Sequence, residues 1–130
     1  MSAPPVPTRG LWHLALRVRD VEAALAFYRD VFGMRVVWRP DPENVYLSSG
    51  TDNLALHQVD ALDGTGALDH LGFVVANPDD VQVAADRLRA RGVEIVAAPR
   101  RHRDGTVSCY CRDPDGNVVQ ILWLPESMLA

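Results

Sequence analysis

Cysteine is scarce in this chain of 130 residues, with Cys109 and Cys111 the only two. Two positions apart in a strand, their Cα atoms would stand ~6.7 Å apart, at the edge of disulfide reach. Both are read as reduced, small buried hydrophobes, which argues against a disulfide-stapled scaffold and for a cytoplasmic protein. Positive charge is also short: 13 Lys plus Arg against 17 Asp plus Glu leave a net charge of −4. With no basic stripe there is no electrostatic footprint for nucleic acid. The densest cationic run, Arg100-Arg101-His102-Arg103, sits beside a glycine turn and reads as a solvated loop, and His102 is assigned no role. No stretch stays apolar for ~18 residues, so no membrane span is expected. The start, MSAPPVPTRG, has neither a cationic opening nor an apolar run. It reads as a flexible tail over 1–9, not a secretion signal.

Apolar residues make up 48% of the chain, enough at this length to bury a core in one domain, 1–130, without a structural metal. The chain also repeats itself. Residues 11–37, LWHLALRVRDVEAALAFYRDVFGMRVV, and 68–96, LDHLGFVVANPDDVQVAADRLRARGVEIV, both open Leu-x-His-Leu. Each continues with an apolar strand, a polar break, a helical pattern, a glycine and a Val-rich strand. In the first copy Asp20 is a natural N-cap, Val21, Ala24, Leu25, Tyr28 and Phe32 form one stripe, and Gly33 suits the C-terminal cap. In the second, Asn77 is expected to cap with Pro78 at the first helical position, and Val81, Ala85 and Leu88 form the stripe before Gly92. Strands are expected at 34–39, 44–49 and 53–59, then at 93–99, 106–112 and 117–123. The fold class is therefore α+β: two βαβββ modules, 11–59 and 68–124, forming a curved mixed sheet.

Strand residues alternate faces. If Trp12, Leu14, Leu16 and Val18 pack under a helix, then His13, Ala15 and Arg17 face the other way. The same rule puts Ala55 and His57, then His70, Gly72 and Val74, then Val118, Gln120 and Leu122 on non-helix faces. Small neighbours leave room there. Such a face suits a concave metal pocket or a polar cleft without metal. Arg17, Tyr46, Ser48, Ser108 and Tyr110 alternate onto it and are candidates for gripping an anionic or phenolic substrate. Trp12, Trp38 and Trp123 are expected to be packing residues. The DPDGN stretch, 113–117, is expected to be structural, with Gly116 supplying a positive φ.

The pattern His13-Leu14, Asp20, AFYRDVFG at 26–33, Asp69-His70-Leu71 and RDPDGN at 112–117 resembles the vicinal oxygen chelate superfamily. That group includes glyoxalase I, extradiol dioxygenases and bleomycin-resistance proteins. The resemblance runs from about Leu11 to Leu124. It implies a divalent ion (Fe, Mn, Ni, Co or Zn) held by His13, His70 and Gln120, with His57 a further candidate ligand. It also implies a homodimer, with the pocket closed either within one chain or across two, His13 of one chain then completing the pocket of the other. His57 and Tyr110 are then candidate proton carriers, and Arg17, Tyr46, Ser48 and Ser108 candidate substrate contacts. The family usually has Glu where this chain has Gln120. An amide can donate its oxygen to a metal but cannot act as a base, which disfavours a glyoxalase I mechanism that needs one there. Two readings follow: a metal-dependent lyase, isomerase or dioxygenase acting on a small oxygen-bearing substrate, or a metal-free small-molecule binding protein of the bleomycin-resistance type.

Overall fold

The computed structural model describes Pro4, Pro5, Pro7 and residues 9–128; part of the expected tail, residues 1–3, 6 and 8, lies outside the described residues. The first module runs β1 (His13–Val18), α1 (Val21–Ala26), a π-helical continuation (Phe27–Val31), β2 (Arg35–Asp41), β3 (Asn44–Ser48) and β4 (Asn53–Gln58). The second runs β5 (Leu71–Val74), α2 (Asp80–Ala90), β6 (Ile95–Arg101), β7 (Val107–Arg112) and β8 (Val118–Trp123). A short 3₁₀ turn, Glu126–Met128, follows.

Each module makes its own four-stranded mixed sheet. The strand orders are β1-β4-β3-β2 and β5-β8-β7-β6, with the first pair of each parallel and the rest antiparallel. The expected mixed sheet is thus built as two halves of identical topology. Period-two burial explains why: Leu16 and Val18 are buried while His13, Ala15 and Arg17 are exposed.

The helices close the buried faces. Asp20 caps α1, its carboxylate accepting from the backbone N–H groups of Glu22 and Ala23. Val21, Ala24, Leu25 and Tyr28 of the stripe are buried, Phe32 is partly buried, and Phe27, outside the stripe, is buried beside them. Gly33, at φ +71°, ends the helix. The start of α2 differs from expectation. Asn77 and Asp80 close a turn on each other: Asp80 N–H donates to the Asn77 carbonyl at 3.1 Å, and the Asp80 carboxylate accepts from Asn77 N–H at 3.1 Å. Pro78 then serves the turn, and the helix begins at Asp80 behind Asp79. Val81, Ala85 and Leu88 still form its buried face.

The modules share one core, with buried residues from both in a single cluster. Phe32 stacks on Phe73 at 4.3 Å between ring centroids. The DPDGN turn is a junction as well as a hairpin. The buried Tyr28 hydroxyl donates to Asp113 Oδ2 at 2.7 Å, and Asp113 also accepts from Asp115 N, Asn117 N and Asn117 Nδ2. Arg19 adds an ion pair to Asp115 at 3.3 Å. Trp12 and Trp38 depart from the expected packing role. Each is 58% exposed, because Trp12 precedes an edge strand and Trp38 lies on β2, another edge. Trp123 does pack against the core. Among the described residues no helix is long and apolar enough to cross a membrane.

Candidate functional site

The register superimposes the two modules residue by residue. Tyr46 pairs with Ala55, which pairs with Ala15, two positions after His13. Tyr110 pairs with Gln120, which pairs with Gly72, two positions after His70. His13 therefore corresponds to His70, Tyr46 to Tyr110, and Ala55 to Gln120. His57 lies one row further along β4, paired with Arg17 and Asn44.

On the second sheet His70, Tyr110 and Gln120 come together. His70 and Tyr110 meet edge to face at 5.6 Å. Gln120 Nε2 donates to the Tyr110 hydroxyl at 3.0 Å. The amide nitrogen is thereby engaged and Oε1 keeps its lone pairs. Gly72 preserves the space beside that oxygen, since a Cβ at Gly72 would stand 3.4 Å from Oε1. On the first sheet His13, Tyr46 and His57 gather: His13 stacks near Tyr46 at 6.4 Å, and Tyr46 meets His57 edge-on at 5.8 Å. Trp38 extends this row, 4.9 Å from Tyr46. Arg17 and His57 line one open cavity with the 61–68 linker, of about 600 Å³.

All three histidines are held in the same way. Nδ1 of His13 bonds Asn53 Oδ1 at 2.7 Å, Nδ1 of His57 bonds Asn44 Oδ1 at 2.6 Å, and Nδ1 of His70 bonds Asp69 Oδ1 at 2.6 Å. An oxygen acceptor at Nδ1 places the proton there and leaves the Nε2 lone pair free, which is the arrangement an Nε2 metal ligand needs. The donor chemistry therefore suits a divalent ion: imidazole nitrogens plus an amide oxygen. The count within one chain does not. Among the described residues no hydrogen bond, ion pair or ring contact joins the two clusters, and no three His, Cys, Asp or Glu side chains form a metal-holding group. Each sheet carries its own cluster, His13, Tyr46 and His57 on the first and His70, Tyr110 and Gln120 on the second.

The serines are less open. Ser48 is buried, and its hydroxyl donates to the Asp52 carbonyl at 2.7 Å and accepts from Gly50 N–H at 2.9 Å, inside the β3–β4 turn. Ser108 is buried and bonds His102 Nε2 at 2.7 Å. His102, given no role in the sequence, is thus drawn onto the same face as Tyr110. Asn53, Asn44 and Asp69 were also missed. Asp69 was visible beside His70, while the asparagines emerge only from strand register. Cys109 and Cys111 are buried free thiols. Burial pushes Cys111 up to about 12 and raises Cys109 too, so both are unreactive neutral groups.

Two four-stranded βαβββ halves with histidines at matching positions define a class, and comparison with known proteins gives its name. The chain belongs to the Glyoxalase/Bleomycin resistance protein/Dioxygenase superfamily, whose profile matches residues 10–121. It is 31% identical to a lactoylglutathione lyase of Neisseria meningitidis, over 86% of this chain and 88% of that one. It is 34% identical to an iron-dependent extradiol dioxygenase of Rhodococcus jostii, over 83% of this chain but 41% of that one. The match thus spans less than half the length of several of the curated relatives. The crystal structure of a lactoylglutathione lyase from Agrobacterium tumefaciens is similar at TM-score 0.76 and 29% identity, covering 91% of this chain and 96% of that one.

Proposed function

We propose that the chain is a divalent-metal enzyme of this superfamily, of lyase, isomerase or dioxygenase type, acting on a small oxygen-bearing substrate. The observation that carries this reading is the common tethering of His13, His57 and His70 through Nδ1. Ordinary surface histidines have no reason to share one tautomer-fixing contact. His70 and Gln120 of one chain, with His13 of a second copy, are the residues that would hold the ion. A homodimer supplies what one chain lacks, and the exposed Leu11, Trp12 and Val74 around these histidines are apolar surface for it to cover. Bound there, Fe, Mn, Ni, Co or Zn would supply Lewis-acid polarisation of two neighbouring substrate oxygens.

The protein's own groups divide the remaining work. Gln120 orients Tyr110 through its amide N–H and cannot itself take a proton. Tyr110, whose oxygen accepts from Gln120, keeps its O–H to donate toward substrate. His57 stands one row beyond Ala55, the position that corresponds to Gln120, and two rows from His13, roughly 13 Å along the strand. That offset suits a proton carrier better than a ligand, and its Nε2 lone pair is free for the task. Tyr46 and Arg17 flank it as substrate contacts.

Calorimetric titration of protein purified without chelator tests the reading. Saturable binding of one of these ions, lost in His70→Ala, is expected; no heat with any of the five ions would contradict it. A second reading, a metal-free binder of the bleomycin-resistance type, draws support from the neutral Gln120 at the position where a carboxylate would balance the ion's charge. Under that reading Gln120→Glu creates metal affinity that the parent lacks altogether. Under the first it strengthens affinity already present, by about tenfold.

A further inference from the structure

We propose that the hairpin joining β6 to β7 forms a carboxylate-binding subsite beside Gln120, so that the substrate is a small acid whose carboxylate lies apart from its metal-chelating oxygens. This rests on the functional reading above and narrows it to a substrate class. Arg100, His102, Arg103, Thr106, Tyr110 and Gln120 line one open cavity of about 610 Å³, together with Asp104. The run read from sequence as a solvated loop is thus a wall of the site face.

Arg100 and Arg103 differ from the other arginines without an ion pair in lining one cavity with Tyr110 and Gln120. Arg19, Arg29, Arg39, Arg89 and Arg112 each stand within ion-pair distance of a carboxylate. Arg100 and Arg103 have no ion pair among the described residues. Asp104, the carboxylate lining the cavity, turns Oδ1 to its neighbour Thr106 within the hairpin. It accepts from the Thr106 backbone N–H at 3.0 Å and from the Thr106 hydroxyl at 2.8 Å. Arg101 turns to the opposite face, its guanidinium 5.8 Å from the Trp123 ring centroid. What remains is two guanidinium groups without an acid partner and an imidazole fixed by the buried Ser108 hydroxyl. A planar guanidinium fork matches a carboxylate edge to edge.

Strand register sets the spacing. Arg100 pairs with Ser108, Ser108 lies two residues from Tyr110, and Tyr110 pairs with Gln120. The cationic row therefore stands roughly 7 Å along the strand from the row that carries Gln120. That is the span across a small ring or a short carbon chain.

The test compares catechol with 3,4-dihydroxybenzoate, which adds one carboxylate opposite the same pair of oxygens. In metal-free protein, 3,4-dihydroxybenzoate is expected to shift the amide resonances of His102, Gly105 and Ser108, and catechol to leave them. In metal-loaded protein, 3,4-dihydroxybenzoate is expected to bind about tenfold tighter than catechol, a preference lost in the Arg100→Ala/Arg103→Ala double variant. Arg101→Ala, on the opposite face, should keep the preference. Unmoved resonances in the metal-free titration, or a preference that survives the double variant, would overturn the subsite even if the protein binds metal. Resonance shifts without any metal binding would support the subsite and sink the functional reading alone.

Discussion

Tyr28→Phe removes one oxygen from the junction between the modules. Tyr28 is fully buried, and its hydroxyl donates to Asp113 Oδ2 at 2.7 Å. A hydrogen bond to a carboxylate contributes about 1.5–3 kcal/mol. Asp113 retains Asp115 N, Asn117 N and Asn117 Nδ2 as donors, so its charge is not stranded. Phenylalanine keeps the edge contact with Phe27 at 5.0 Å. The cost is therefore expected in the lower half of that range, about 2 kcal/mol, or roughly 5–10 °C in Tm for a chain of this size. The effect also has a pH signature. Burial, then the Asp113 charge, raises the Tyr28 pKa above its ordinary value of 10.0. Folding thus favours the protonated phenol. Its contribution is complete below pH 10 and falls as the unfolded chain ionises above it, by up to about 1.4 kcal/mol per pH unit. Urea unfolding of both proteins at one concentration, between pH 7 and 11, reads this directly. The gap between parent and variant should be constant to about pH 9 and shrink above pH 10. A gap under about 0.5 kcal/mol at pH 7, or one that widens in alkali, would refute the junction as described.

Asp69→Ala and Asn53→Ala release His70 and His13 from their Nδ1 contacts. Each should weaken metal binding about 10–100-fold with Tm little changed, as Asp69 is exposed and Asn53 only half-buried at the start of β4. Gly72→Ala places a methyl 3.4 Å from Gln120 Oε1. Calorimetry should show weaker metal binding while thermal stability holds or rises, since glycine weakens a strand interior. Cys111, raised to about 12, favours the folded state in its thiol form. Between pH 9 and 12 that contribution is lost, so Cys111→Ala should unfold less steeply with alkali than the parent in the same denaturation series.

The repeat carried most of the architecture. Both helical stripes, all eight strands and the two faces follow from periods of 3.6 and 2, because burial on one side is what fixes a register. The start of α2 escaped, since Asn77 bonds Asp80 in a turn instead of capping the helix. Trp38 pairs with Tyr46 across the β2–β3 hairpin and so shares the site face. Its exposure was hidden by the habit of counting tryptophan as core. Arg100 and His102 were misread for a related reason. Register shifts between Ile95 and Arg100 break the simple alternation along β6, and only the pairing with Ser108 shows which way they face. The separation of the two histidine clusters onto two sheets is not written in either module, because each strand pattern is satisfied without saying which sheet faces which.

An anomalous-scattering map of crystals grown with nickel or manganese addresses the central claim most directly. A peak is expected within bonding reach of His70 Nε2 and Gln120 Oε1 of one chain and His13 Nε2 of a second, with each Nδ1 still on its oxygen. A peak elsewhere, or none beside a well-ordered Gln120, would contradict it.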